Sequence, residues 1–180
     1  MLKKEKCLNS KLVHQSRVFK VYEDDVVLPD GRKSRRGWIA HGASVAIVPI
    51  NSQDEIILIK QYRYPTQKFL LEIPAGNIDK GSRSPAASAQ RELAEEIGFQ
   101  AKKLTKIFEG YSLPGYCQEY MHYFLAQDLY PKKLTADDDE FIELKPVSFT
   151  KALTLIKNKK IIDSKTALGI YLAKEYLKIK

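Results

Sequence analysis

Three glutamates lie close together near the middle of the chain: Glu92, Glu95 and Glu96. In an α-helix, with 100° between successive residues, they fall within roughly 100° of arc, so one edge of the helix carries three negative charges. Like charges at these spacings repel by about 0.2–0.5 kcal/mol per pair. A bound cation would explain the pattern, and clustered carboxylate oxygens suit Mg²⁺ or Mn²⁺ better than zinc. A solvated acidic helix face is the alternative interpretation of these residues alone.

The neighbouring residues predict the element that positions the glutamates. Ser84 can accept a hydrogen bond from a free amide of the first helical turn, and Pro85 suits the first helical position. Gly98 suits a left-handed helix end. We therefore predict a loop that begins at Gly76 and leads into one short helix ending before Gly98.

This stretch resembles the signature of the Nudix hydrolase family, G-x5-E-x7-R-E-U-x-E-E-x-G-U, in which U is a bulky apolar residue. The segment from Arg91 to Phe99 matches every fixed position of the second half. The first half departs from the signature, because Ser82 stands at the place of the first glutamate and eight residues, not seven, separate it from Arg91. The loop is therefore one residue longer and lacks one carboxylate.

Three further stretches are similar to the ADP-ribose and nucleoside diphosphate sugar pyrophosphatase branch of that family. They are the lead-in formed by residues 61–65 and 72–76, Pro114 at sixteen residues beyond Gly98, and the acidic segment 139–143. The resemblance implies Mg²⁺-dependent hydrolysis of the diphosphate in ADP-ribose and other nucleoside diphosphate sugars, with Mn²⁺ as a possible substitute. The products are a nucleoside monophosphate and a sugar phosphate.

The resemblance also implies roles for acidic residues. Glu92 and Glu96 bind metal with help from the main-chain carbonyl of Ala75, and Glu95 shares the metal or holds a water bound to it. Glu140 is the candidate general base or water-orienting residue. All four glutamates are therefore candidate catalytic residues.

The candidate substrate-binding residues are basic or aromatic. Arg63 matches an arginine that the branch uses on the diphosphate, and its planar fork suits two phosphate oxygens; a surface charge at a strand edge is the alternative. Trp38 falls where some relatives place an indole against the adenine ring, although a single Trp is commonly a core residue. Arg35 and Arg36 are candidates for a further phosphate or base contact.

The order of predicted elements mixes many strands with about three helices. It predicts an α/β sandwich of the Nudix type with a mixed sheet, plus an N-terminal antiparallel hairpin or small sheet. We divide the chain into residues 1–41, the N-terminal sheet, and 42–180, the hydrolase domain. In the branch that it resembles, the N-terminal sheet exchanges across a two-fold dimer, so a homodimer is expected with 1–41 as the dimerisation region.

Composition adds broad limits. The 180 residues suit one domain with a sizeable core or one domain with a small appendage, and no apolar run approaches the ~18 residues of a membrane span. We expect a cytoplasmic protein without a membrane partner. The net charge of +8 favours anionic ligands, but no basic stripe interleaved with aromatic residues indicates a nucleic-acid surface. Cys7 and Cys117 have no metal-ligand spacing.

Two alternative functions remain open from the sequence. One is another substrate of the same family, such as a dinucleoside polyphosphate, GDP-mannose or an RNA 5′ end. The other is a non-catalytic module that binds nucleotides, for which Ser82 and the longer loop are the support.

Overall fold

The protein is described here from a computed structural model, which covers residues 2–78, 81–82, 84–135 and 141–179. The chain divides into two compact units, residues 1–43 with 111–120 and residues 44–110 with 121–180. Among the described residues, no helix is long and apolar enough to cross a membrane.

The first unit is built on an antiparallel three-stranded sheet. Its strands are β1 (Lys6–Gln15), β2 (Phe19–Val27) and β3 (Lys33–His41), in the order β1-β2-β3. The N-terminal antiparallel sheet that the sequence predicted is confirmed. Strand β1 pairs with β2 through two register shifts, which break the period-two alternation.

The second unit contains two sheets. Strands β7 (Ala75–Asn77), β4 (Ser44–Pro49), β9 (Tyr120–Pro131) and β8 (Phe99–Tyr111) lie in that order, and β10 (Ile142–Ser148), β5 (Glu55–Arg63) and β6 (Lys68–Glu72) form the other sheet. Strand β4 is antiparallel to β7 and parallel to β9, so the sheet is mixed as predicted.

Strand β4 is buried along its whole length, as is typical of a strand whose sequence is almost wholly apolar. Its alternate side chains belong to two separate cores. Val45 and Ile47 pack with apolar residues of the central helix, whereas Ala46 and Val48 pack with residues of the two C-terminal helices. Helices therefore cover both faces of this strand, and the predicted mixed α/β class is confirmed.

The helices are α1 (Pro85–Glu92), α2 (Phe149–Lys157) and α3 (Ser164–Leu177), and a π-helical turn, Leu93–Ile97, follows α1 directly. Helix α3 approaches the sheet closely at Gly169. A Cβ added there would lie 2.7 Å from Cδ1 of Ile73 and 3.3 Å from Cγ2 of Val48. This contact holds α3 against the strand end that leads into the Gly76 loop.

Candidate active site

The ends of the central helix follow the sequence prediction. The Ala87 amide donates to Oγ of Ser84 over 3.1 Å, Pro85 is the first helical residue, and Gly98 ends the helical segment in the left-handed region with φ of 76°. Ser82 Oγ lies 2.7 Å from Oγ of Ser88, whose side chain is buried. The residue that replaces the signature's first glutamate thus joins the end of the loop to the helix through hydroxyl groups.

The helix itself differs from the prediction of one regular α-helix. The backbone changes from α-helical to π-helical after Glu92, so the turn that carries Glu95 and Glu96 is wider than the one assumed at 100° per residue. Single π-helical turns inserted in helices are frequent at functional sites. Glu92 and Glu96 are buried, and Glu95 is partly buried. Burying three negatively charged side chains away from water costs folding free energy unless positive groups or hydrogen-bond donors pair with them.

Arg91 pairs with two of the three glutamates. Its Nη2 donates to Oε1 of Glu92 over 2.6 Å and to the Asn77 carbonyl over 3.1 Å, and its Nη1 donates to Oε2 of Glu95. Arg91 therefore joins the helical turn to strand β7 while it compensates two negative charges.

Residues 75–77 form strand β7, although a loop was predicted to begin at Gly76, and this strand contacts the other sides of the carboxylates. The Ala75 amide donates to Oε2 of Glu96 over 3.2 Å. A Cβ added to Gly76 would overlap with the carboxyl group of Glu92. A residue without a side chain is therefore needed where the backbone of β7 passes Glu92.

The donor groups suit a hard divalent cation. Carboxylate oxygens from Glu92, Glu95 and Glu96 arise from a single turn, and the backbone of Ala75 and Gly76 lies directly beside two of them. Within the described ranges, no three acidic, His or Cys side chains are grouped closely enough to form a metal site as they stand. Arg91 holds Glu92 and Glu95 in this arrangement, so a cation would compete with its guanidinium for both carboxylates.

Arg63 lies at the end of β5 and pairs with Glu72 at the end of β6. Its Nε donates to Oε1 of Glu72 and its Nη2 to Oε2, each over 2.8 Å. Its pKa lies above the ordinary value because of the hydrogen bond to Glu72, with smaller contributions from the negative charges of Glu96 and Asp163. Arg63 is thus within electrostatic reach of the Glu96 carboxylate.

Glu72 is only 1% exposed and is charged in spite of its burial. Burial acts to raise its pKa, but the hydrogen bonds and positive charges of Arg63 and Lys165 together outweigh it, so the pKa lies below the ordinary value. The Lys165 ammonium contacts Glu72 and also lies 3.0 Å from Oδ2 of Asp163.

Sequence reasoning assigned no role to Glu72, Asp163 or Lys165. The Asp-x-Lys-Thr order before an apolar helix was a usable signal, because Asp163 caps α3 by accepting from the Thr166 amide over 2.9 Å. Thr166 Oγ1 in turn donates to Asp163 and accepts from the Ile73 amide over 2.9 Å. The start of α3 is thereby tied to the strand end that carries Glu72.

The three remaining substrate candidates lie in the first unit. Trp38 stacks on Tyr22 with ring centroids 4.9 Å apart, and its Nε1 donates to Oδ2 of Asp24 over 2.8 Å. Arg36 donates to both carboxylate oxygens of Glu5, and Nε of Arg35 lies 3.4 Å from Oδ1 of Asp25; both arginines are exposed.

The candidate base, Glu140, lies outside the described residues. The next acidic residue that is described, Glu143, is exposed on β10. Lys145 donates to its Oε1, and Nζ of Lys60 lies 4.0 Å from its Oε2. These two cations hold the pKa of Glu143 below its ordinary value, with the hydrogen bond to Lys145 as the larger cause.

The fold, the acidic helical turn and the glycine beside it together define a class of protein. Residues 40–167 match the NUDIX domain, and residues 5–39 match the nucleoside diphosphate sugar hydrolase N-terminal domain. The chain belongs to the NUDIX family, which confirms the resemblance seen in the signature.

Individual relatives cover nearly the whole chain. The ADP-ribose pyrophosphatase of Bacillus subtilis (strain 168) is 39% identical over 178 residues, which are 98% of this chain and 94% of that protein. The methanol dehydrogenase activator of Bacillus methanolicus is 35% identical with the same coverage. The crystal structure of an ADP compounds hydrolase matches with a TM-score of 0.90 and 31% identity, over 99% of this chain and 96% of that chain.

Proposed function

We propose that this protein hydrolyses the diphosphate of ADP-ribose and of other nucleoside diphosphate sugars to a nucleoside monophosphate and a sugar phosphate. The observation that carries the proposal is the acidic turn: Glu92 and Glu96 are buried carboxylates that contact the backbone of β7, and Arg63 lies within electrostatic reach of Glu96. The similarity to an ADP-ribose pyrophosphatase and an ADP compounds hydrolase, each over nearly the whole chain, supports the choice of substrate.

NUDIX hydrolases use a divalent metal, and we propose Mg²⁺, with Mn²⁺ as a substitute. Glu92, Glu95 and Glu96 would hold it with the carbonyl of Ala75, because hard oxygen ligands suit these ions. The metal, when bound, neutralises the diphosphate and lowers the pKa of water. Arg63 binds two phosphate oxygens of the diphosphate, for which its planar fork is suited.

The reaction breaks one phosphorus–oxygen bond and makes another. Water attacks one phosphorus, a new bond forms between phosphorus and the water oxygen, and the bridging oxygen leaves with the other half of the substrate. The proton that the water loses passes to a base, for which we propose Glu140. A carboxylate acts as the base when it comes within hydrogen-bond reach of the attacking water.

Glu140→Gln tests this assignment. The amide cannot accept the proton, so kcat for ADP-ribose is expected to fall by on the order of a hundredfold or more, with a much smaller change in KM. Steady-state kinetics at saturating Mg²⁺ measure both constants. Glu175→Gln, at an exposed position of α3, serves as the matched control, because Glu143 and Asp139 are the next candidates if Glu140 is not the base. An unchanged kcat in Glu140→Gln would mean that another residue is the base.

The N-terminal sheet supports the proposal of a homodimer. Every residue of β1 is exposed, including Leu8, Leu12 and Val13, and Val26 is the one buried residue between residues 2 and 43. A small sheet with so little core needs a partner surface. The completion of the substrate pocket by Trp38, Arg35 and Arg36 of the second subunit is part of this proposal.

Light scattering coupled to gel filtration is expected to give twice the mass of the chain. Leu12→Lys places a charge on the exposed apolar surface and is expected to shift the protein toward the monomer. Lys11→Ala, at the neighbouring exposed position, is the control and should leave the dimer intact. A monomeric wild-type protein at working concentration would contradict the proposal and remove the support for Trp38 as a site residue.

The substrate itself is tested by product analysis. The purified protein is incubated with ADP-ribose, GDP-mannose, diadenosine polyphosphates and triphosphorylated RNA, each with Mg²⁺ and with chelator. We expect AMP and ribose phosphate from ADP-ribose, only with the metal. A clear preference for a dinucleoside polyphosphate or RNA would assign a different family substrate. A folded protein that is inactive on all of them would favour the nucleotide-binding module.

A cytoplasmic location remains part of the proposal.

A further inference from the structure

The N-terminus of α3 carries a charged pair that the resemblance to the family did not assign. The Lys165 side chain is 17% exposed, and its ammonium contacts two carboxylates, those of Glu72 and Asp163. Asp163 is equally buried and also caps the helix. Both residues are therefore placed by the backbone of α3, which packs closely on Ile73 and Val48 through Gly169.

Glu72 joins this pair to Arg63. Each oxygen of its buried carboxylate accepts one hydrogen bond from Arg63, and Oε2 also accepts from Lys165. The four side chains of Arg63, Glu72, Asp163 and Lys165 carry two positive and two negative charges. Without Lys165 the balance would be one positive against two negative charges, which disfavours a diphosphate at Arg63.

The bonds to Glu72 also set the direction of the Arg63 guanidinium. Nε and Nη2 of Arg63 donate to Glu72, so the edge of the guanidinium that carries Nη1 makes no hydrogen bond to Glu72. Arg63 is 37% exposed, whereas Glu72 is 1% exposed, so the arginine is the member of the pair that solvent and ligands can reach. An arginine held on one edge loses less freedom when its other edge binds phosphate oxygens.

We propose that Lys165 is a positioning residue for substrate binding, which acts through Glu72 on the diphosphate-binding guanidinium of Arg63. It does not touch the substrate itself. The inference rests on the proposed function, since it concerns the binding of a diphosphate at this site.

The test is a double-mutant cycle with ADP-ribose and Mg²⁺. Lys165→Met is expected to raise KM by about tenfold and to leave kcat within about threefold, because it weakens binding rather than chemistry. The conservative variant Lys165→Arg should restore most of the affinity. Lys151→Met is the matched control, because Lys151 is an exposed lysine in the first turn of α2. Its KM should equal that of the wild type.

The same substitution is then made in a Glu72→Gln background. If Lys165 acts by neutralising Glu72, its replacement there should change KM by less than about twofold. An undiminished tenfold effect in that background would mean that Lys165 contacts the substrate directly, and the inference would be overturned. An unchanged KM in Lys165→Met would overturn it as well.

Thermal unfolding of each variant separates positioning from folding. Should Lys165→Met fail to fold, Lys165→Gln replaces it, since the amide can still donate to Glu72 while the charge is lost; the same rise in KM is expected. An active wild-type enzyme whose Lys165 variants have normal KM refutes this inference alone. An inactive wild-type protein refutes the proposed function and the inference with it.

Discussion

Replacing Glu96 by glutamine is expected to reduce kcat/KM for ADP-ribose by on the order of a hundredfold or more, with folding intact. Glutamine retains an oxygen that can accept the hydrogen bond of the Ala75 amide, so the contact between loop and helix survives. The negative charge is lost, and with it a ligand for a divalent cation. Glu96 is buried on the same turn as Glu92 and Glu95, so a neutral side chain relieves repulsion between like charges and should not lower the melting temperature strongly.

The measurement is kcat/KM at several Mg²⁺ concentrations together with the melting temperature. Part of the lost activity should return as Mg²⁺ is raised, if Glu96 binds the metal. Glu175→Gln removes one carboxylate from an exposed position of α3 and should behave as wild type. Near-normal activity of Glu96→Gln at low Mg²⁺ would refute its role as a ligand.

Gly76→Ala is expected to have the second large effect, a loss of activity by on the order of tenfold to a hundredfold. The new Cβ would occupy the place of the Glu92 carboxyl group, which must then move away from the loop. The displaced atoms are the end of a flexible side chain, so the backbone has no need to unfold. The substitution thus shifts a proposed ligand without changing the number of carboxylates.

A titration of activity with Mg²⁺ checks this prediction, and half-maximal activity is expected at a higher Mg²⁺ concentration than in the wild type. Gly42→Ala is the control, because a Cβ there would meet no described atom within 4 Å. Wild-type Mg²⁺ dependence in Gly76→Ala would show that the position of the Glu92 carboxylate does not matter for catalysis.

Several features of the site were predictable because they depend on short segments of sequence. Ser84 and Gly98 mark the helix ends through local backbone chemistry, and both act as expected. The apolar segment around β4 predicted a strand that is buried on both faces. The spacing of the glutamates indicated a cation site and led to the family. The roles of the three glutamates as metal ligands remain predictions that the experiments above test. The same holds for Glu140 as the base and for Trp38 as a substrate-binding residue.

The amino-acid sequence by itself determined the acidic turn, its helix ends and the mixed α/β class. Hydrophobic periodicity and helix capping depend only on residues that are close together in the sequence. Only the tertiary structure decided that the helix widens into a π-helical turn at the glutamates and that Arg63 pairs with Glu72. It alone brought Lys165 to Glu72, 93 residues away. Contacts over such separations follow from the packing of α3 on the sheet and leave no local pattern in the sequence.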